Sequence, residues 1–132
     1  MGMPSVVSLF AGCGGSSLGY KLAGYKELLA VDFDKNAEET FRLNFPDVPF
    51  WNRDISQLPG KEIIDFVGGF DVLDGSPPCQ GFSMAGKRKI KDKRNNLVFD
   101  FIRLLEETKP KAFVMENVAS MRFGKMAGIY NE

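Results

Sequence analysis

Histidine is missing from all 132 residues. That absence removes every internal Cys–His and Ser–His–Asp arrangement, so any nucleophile here must be activated without imidazole. Cysteine is scarce: Cys13 and Cys79 are the only two, and they do not form a Cys-x-x-Cys pair. Two such residues make neither a disulfide framework nor a zinc motif, and no metal site is expected. No apolar run approaches the ~20 residues that cross a bilayer, and the first residues lack the layout of a secretory signal. The expectation is an intracellular, cytoplasmic setting with no membrane partner. Repeats and low-complexity tracts are absent too. What remains is ordinary globular composition, 44% hydrophobic and 26% charged, in a length that suits one domain or part of one.

Net charge is zero, but its distribution is uneven. Six of the 17 bases and one of the 17 acids fall within Lys87–Arg94, which leaves the rest of the chain acidic. A short basic loop on an acidic body suits contact with phosphates.

Apolar strands alternate with amphipathic helices. Strands are expected at Ser5–Phe10, Glu27–Asp32, Phe50–Trp51, Phe70–Asp74 and Ala112–Met115. Helices are expected at Ser16–Ala23, after Asp34 as N-cap and up to Pro46, and over Asn96–Thr108 with Phe99, Ile102, Leu105 and Phe101 facing inward. This order predicts an α/β fold with a parallel sheet and helices on both faces. In such sheets ligands bind beyond the carboxyl ends of the strands. The notable polar residues fall at those ends: the glycine turn, Asp32, Asp54, Cys79 and Glu116.

Gly75-Ser76-Pro77-Pro78-Cys79-Gln80-Gly81-Phe82-Ser83 is the most informative stretch. The prolines fix their own φ and push preceding residues toward extended backbone, so the thiol is carried on a stiff turn. A presented sulfur suggests a nucleophile. Phe10-Ala11-Gly12-Cys13-Gly14-Gly15 sits between strand and helix as a nucleotide-type turn, with helix N–H groups open to a ligand. Asp32, about 20 residues on, suits ribose hydroxyls, and Phe33 suits stacking on a purine. These features alone leave NAD, another nucleotide or S-adenosylmethionine open.

In this order the motifs resemble those of the cytosine-5 DNA methyltransferases. The resemblance runs through Ser8–Gly15, Asp32-Phe33, Arg53-Asp54-Ile55, Ser76–Ser83 and Met115-Glu116-Asn117-Val118. It implies a Rossmann-like S-adenosylmethionine-dependent fold. It also implies cofactor contacts from Phe10, Gly12, Cys13, Gly14, Gly15, Asp32, Phe33, Asp54, Ile55 and Pro78. Cys79 is then the nucleophile toward C6 of a flipped-out cytosine, and Glu116 holds the N3 edge. Asn117 shapes the turn that orients the prolines. Ser76, Gln80, Ser83, Lys87, Arg88 and Arg94 would meet DNA.

The family's later Gln-x-Arg-x-Arg strand, target-recognition region and final cofactor motif find no match. Residues 1–132 therefore resemble the N-terminal portion of the catalytic domain, a fragment or a subunit of a split enzyme. The sheet is expected to be incomplete at its C-terminal side, leaving an apolar edge for a complementing C-terminal fragment or for self-association. Two other readings stand beside this one: a tRNA cytosine-5 methyltransferase with a similar Pro-Pro-Cys-Gln region, and a noncatalytic cofactor-binding or complementing module.

Overall fold

A computed structural model describes residues 2–78 and 96–117. Five strands form one parallel sheet in the order β3-β2-β1-β4-β5. They are β1 (Ser5–Leu9), β2 (Lys26–Asp32), β3 (Phe50–Asn52), β4 (Val72–Gly75) and β5 (Ala112–Met115). The helices are α1 (Gly15–Leu22), α2 (Lys35–Asn44), α3 (Gly60–Val67) and α4 (Asn96–Thr108), with a 3-10 turn at Ile55–Gln57. Strand order reverses direction between β1 and β4. That switch opens a crevice at the carboxyl ends of the two central strands.

Helix starts follow local chemistry. Asp34 caps α2 by accepting from the backbone N–H of Asn36 and Ala37 at 2.8 and 3.2 Å, and Asp54 likewise caps the 3-10 turn through Ser56. Pro46 follows closely on the end of α2, where the expected stop lies. The 3-10 turn and α3 were not expected from sequence. Ile55 of the turn, Leu58 just after it and Ile63 of α3 are buried, whereas Phe66 of α3 is 52% exposed.

One face of the sheet carries the main core. Val7, Leu9, Leu29, Val31 and Leu73 pack there against Ile55, Leu58, Ile63, Phe70, Phe101 and Leu104. Here α4 corrects an expectation. Its inward stripe is Val98, Phe101 and Leu104, whereas Phe99 is 39% exposed. The Phe101 ring lies against Gly75, where an added Cβ would stand 2.6 Å from it. The missing side chain at Gly75 makes the space that selects this helical face.

The other face is covered by α1 and α2. Phe41, Phe45, Phe50 and Ala30 form a second, smaller cluster at its β2–β3 side. Toward β4 the lining becomes polar, with Ser8, Ser17 and Asp74 buried. A register shift between Val6 and Val7 pairs Val6 with Glu27 and Val7 with Leu29. This irregularity sends Glu27 to the α1 face, where it accepts from the Ser17 hydroxyl at 2.9 Å. On the outermost strand, Phe113 and Val114 are 54% and 48% exposed.

Candidate active site

The carboxyl ends of the strands are stitched together by backbone hydrogen bonds. Ala11 N–H donates to Val31 O at 3.0 Å, Arg53 N–H to Asp32 O at 3.1 Å, and Glu116 N–H to Gly75 O at 3.1 Å. These three bonds set the glycine turn, the acid ending β2, the Arg53-Asp54 segment, the end of β4 and Glu116 along one rim.

The glycine turn leaves the allowed backbone regions of ordinary residues. Gly12 and Gly14 have φ of +56° and +98°, and Phe10, with a side chain, has φ of 55°. A left-handed non-glycine residue costs roughly 1–2 kcal/mol. Such strain at a strand end points to a constraint from function. Gly14 is also needed for packing, because a Cβ there would run into the rings of Phe45 and Phe41. Gly12 and Gly15 instead face open space. Bare backbone beside open space is room for a ligand. Gly14 is the N-cap of α1 and supplies no side-chain hydrogen bond, so the N–H groups of that first turn have no side-chain cap.

Asp32 stands against this turn. One carboxylate oxygen accepts from Gly12 N–H at 2.8 Å and the other from Asp34 N–H at 3.0 Å. It thus shapes the glycine turn, a duty that spacing alone did not suggest. Phe33 is 66% exposed beside it, too open for a core residue and free to stack. Cys13 is an exposed free thiol on the turn. Asp54 is exposed, and its carboxylate is engaged with Ser56. Ile55, at 3% exposure, packs in the main core cluster directly beside Asp54 in sequence.

At the other end of the rim, β4 runs out into exposed Ser76, buried Pro77 and half-buried Pro78. Glu116 is exposed and Asn117 half-buried on the adjoining strand end. Cys79, Gln80, Ser83, Lys87, Arg88 and Arg94 lie outside the described residues.

Sequence reasoning missed the acid inside β4. Asp74 is 8% exposed, and its two oxygens accept from Ser16 Oγ at 2.7 Å and Tyr20 Oη at 3.2 Å. An acid within an otherwise apolar strand was the available signal. Burial, then the Asp74 carboxylate, pushes the Tyr20 phenol above its usual ionisation range. Burial also raises the Glu27 carboxyl, against the Ser8 and Ser17 hydroxyls that favour its charged form.

The model of the C-5 cytosine-specific DNA methylase family matches residues 4–126. The chain belongs to that family. It is 46% identical over 114 residues to the Type II methyltransferase M.DdeI of Desulfomicrobium norvegicum, covering 86% of this chain and 28% of that protein. It is 42% identical to M1.HphI of Haemophilus parahaemolyticus, covering 87% of this chain and 32% of the relative. Among solved structures, a DNA modification methyltransferase from an Escherichia coli prophage superposes with a TM-score of 0.84 at 38% identity, over 97% of this chain and 36% of that one. Spodoptera frugiperda DNMT2 gives 0.74 at 28% identity, over 97% of this chain and 39% of its own. The fold is therefore the Rossmann-like methyltransferase fold. The chain spans about a third of the length of these relatives.

Proposed function

We propose that this chain forms the cofactor-binding and nucleophile-bearing part of a DNA cytosine-5 methyltransferase. The observation that carries the reading is the shared rim, on which the strained glycine turn with Asp32 and the Gly75–Glu116 backbone contact flank the topological switch.

S-adenosylmethionine, once bound, would supply an electrophilic methyl group. The residues fit it: Gly12 and Gly15 leave open space, Asp32 offers carboxylate lone pairs toward ribose hydroxyls, and Phe33 offers a face for the adenine. The uncapped start of α1 suits the cofactor's carboxylate. Phe10, Cys13, Gly14, Asp54 and Pro78 complete the lining, and Ile55 supports it from within the core.

The DNA base is a poor carbon nucleophile at C5. A Cys79 thiolate adding to C6 pushes electron density onto C5, which is covalent catalysis of a step too slow for the bare ring. Glu116 would hold the base's N3 edge as charge develops there. Asn117 would fix the turn beside the prolines. After C5 has gained the methyl group, loss of its proton lets the C5–C6 double bond re-form and expels the sulfur. The base must leave the duplex for this chemistry. Ser76, Gln80, Ser83 and the basic residues Lys87, Arg88 and Arg94 would meet the flanking phosphates. The exposed apolar side chains of β5 suit a further segment or a second chain on that side.

Calorimetric titration with S-adenosylhomocysteine tests the cofactor half. Asp32→Ala should weaken binding at least tenfold, since it removes both the ribose acceptor and the partner of Gly12 N–H. Unchanged affinity would take Asp32 out of the cofactor site.

A further inference from the structure

The first turn of α1 is held from two sides by carboxylates. Ser16 donates to Asp74 on β4 at 2.7 Å, and the next residue, Ser17, donates to Glu27 on β2 at 2.9 Å. One turn further on, Tyr20 donates to the second oxygen of Asp74 at 3.2 Å. Ser16 and Tyr20 are four residues apart and so share one helix face. Asp74 therefore grips α1 at two points. Among the described residues it is the one buried carboxylate, and no Lys or Arg there pairs with it.

A buried carboxylate without a cation is destabilising relative to an apolar side chain of similar size. Val72, two positions earlier on the same strand, shows that the β4 backbone accepts an aliphatic residue on this face. The acid must offset its desolvation through its donors, and among the described residues its side-chain donors, Ser16 and Tyr20, both lie on α1. What those bonds fix is the spacing of two pieces of the rim. One is the glycine turn, which runs straight into Ser16. The other is the end of β4, where Gly75 and Ser76 follow Asp74 at once. The negative charge also lies near the positive end of the α1 dipole.

We propose that Asp74 is a positioning residue that clamps the first turn of α1 against the end of β4, and that it sets cofactor affinity through Ser16 without touching the cofactor. This rests on the cofactor reading of the glycine turn given above.

The test is a double-mutant cycle in the protein that carries this chain, read by titration with S-adenosylhomocysteine. Ser16→Ala keeps the Asp74 charge and removes the link, and Asp74→Asn keeps the shape and removes the charge. Each single change should weaken binding about five- to tenfold. The double variant should be no weaker than the weaker single, because the Ser16–Asp74 bond lost in Ser16→Ala is one of the two bonds that Asp74→Asn weakens. Ser16→Thr, which retains a hydroxyl, should restore affinity to within about twofold. In the active enzyme the KM for the cofactor should rise in Ser16→Ala while the KM for DNA stays unchanged.

Losses that multiply in the double variant would overturn the proposal. So would a lower melting temperature for Ser16→Ala with unchanged affinity. Should Asp74→Asn fail to fold, Ser16→Ala and Tyr20→Phe form a second cycle on the same carboxylate, with the same non-multiplying outcome expected. Ultraviolet titration of Tyr20 reads the clamp independently of any cofactor: Asp74→Asn should lower its ionisation somewhat while burial, the larger cause, keeps it raised, and an unmoved titration contradicts the contact. A wild-type protein that takes up no S-adenosylhomocysteine removes the cofactor reading itself. Binding by wild type with Ser16→Ala unaffected removes only this inference.

Discussion

The two faces of this sheet are built for different purposes. Against α3 and α4 the strands offer Val7, Leu9, Leu29, Val31 and Leu73, and the helices answer with Ile63, Phe101 and Leu104. The polar groups that reach this layer, Arg103 and Thr108 of α4, bond to backbone carbonyls of Ile55, Leu58 and Leu104 rather than to the sheet. Against α1 the same strands offer Ser8, Glu27 and Asp74, and the helix answers with Ser16, Ser17 and Tyr20. An apolar layer is non-directional and tolerates small slips, whereas hydroxyl-to-carboxylate bonds fix a helix to within tenths of an ångström. The face that stabilises is greasy. On the other face, the patch beneath α1 that must hold a strained glycine turn in one place is polar, while the β2–β3 side keeps a smaller apolar cluster.

The comparison predicts opposite responses to substitution. On the apolar face Phe101→Ala should be the most damaging change. It removes a fully buried ring that fills the space above Gly75, and losses of roughly 3–5 kcal/mol are typical of such deletions. Denaturant unfolding measures it, and a loss below about 1 kcal/mol would break the contrast between the faces.

On the polar face a smaller effect of opposite sign is expected from Glu27→Gln. Burial raises the folded-state carboxyl of Glu27 above its unfolded value. The folded state therefore holds this proton more tightly than the unfolded state does. Its stabilising contribution is complete below the unfolded carboxylate value and is lost as pH rises through the folded one. At neutral pH the wild type carries a half-buried charge that Gln avoids, so Glu27→Gln should melt higher than wild type near pH 7. The two melting curves should converge as pH falls into the carboxylate range. A lower melting temperature for the variant at pH 7 would show that the Ser17 bond to the charged form outweighs desolvation.

Much of the apolar half was legible from residues alone. Continuous apolar strands, Asp34 as a cap and the bounds of α4 all follow from local propensity and pattern. The inward stripe of α4 was legible only in part: Phe101 was expected and is buried, and Leu105 packs against the core, but Phe99 and Ile102 compete with Val98 and Leu104 on equal periodicity. Only the gap left by Gly75 on another element decides between them. The segment forming α3 is short and lies between a proline and two glycines, so its pattern carried little weight. Of the site, the motif residues at strand ends were readable because a parallel sheet collects them at one rim. Glu27 was hidden, since a register irregularity chose its face. Asp74 was visible as a letter but not as a clamp, because its partners Ser16 and Tyr20 lie more than 50 positions away.

The central claim is that the sulfur following Pro78 attacks a cytosine on the rim that also holds the cofactor. Peptide-resolved mass spectrometry decides it most directly, after the protein is incubated with S-adenosylmethionine and duplex DNA carrying 5-fluorocytosine at the target position. The account predicts a stable DNA adduct on the peptide containing Cys79, lost in Cys79→Ser. An adduct that persists in Cys79→Ser, or one formed at Cys13 instead, would contradict it.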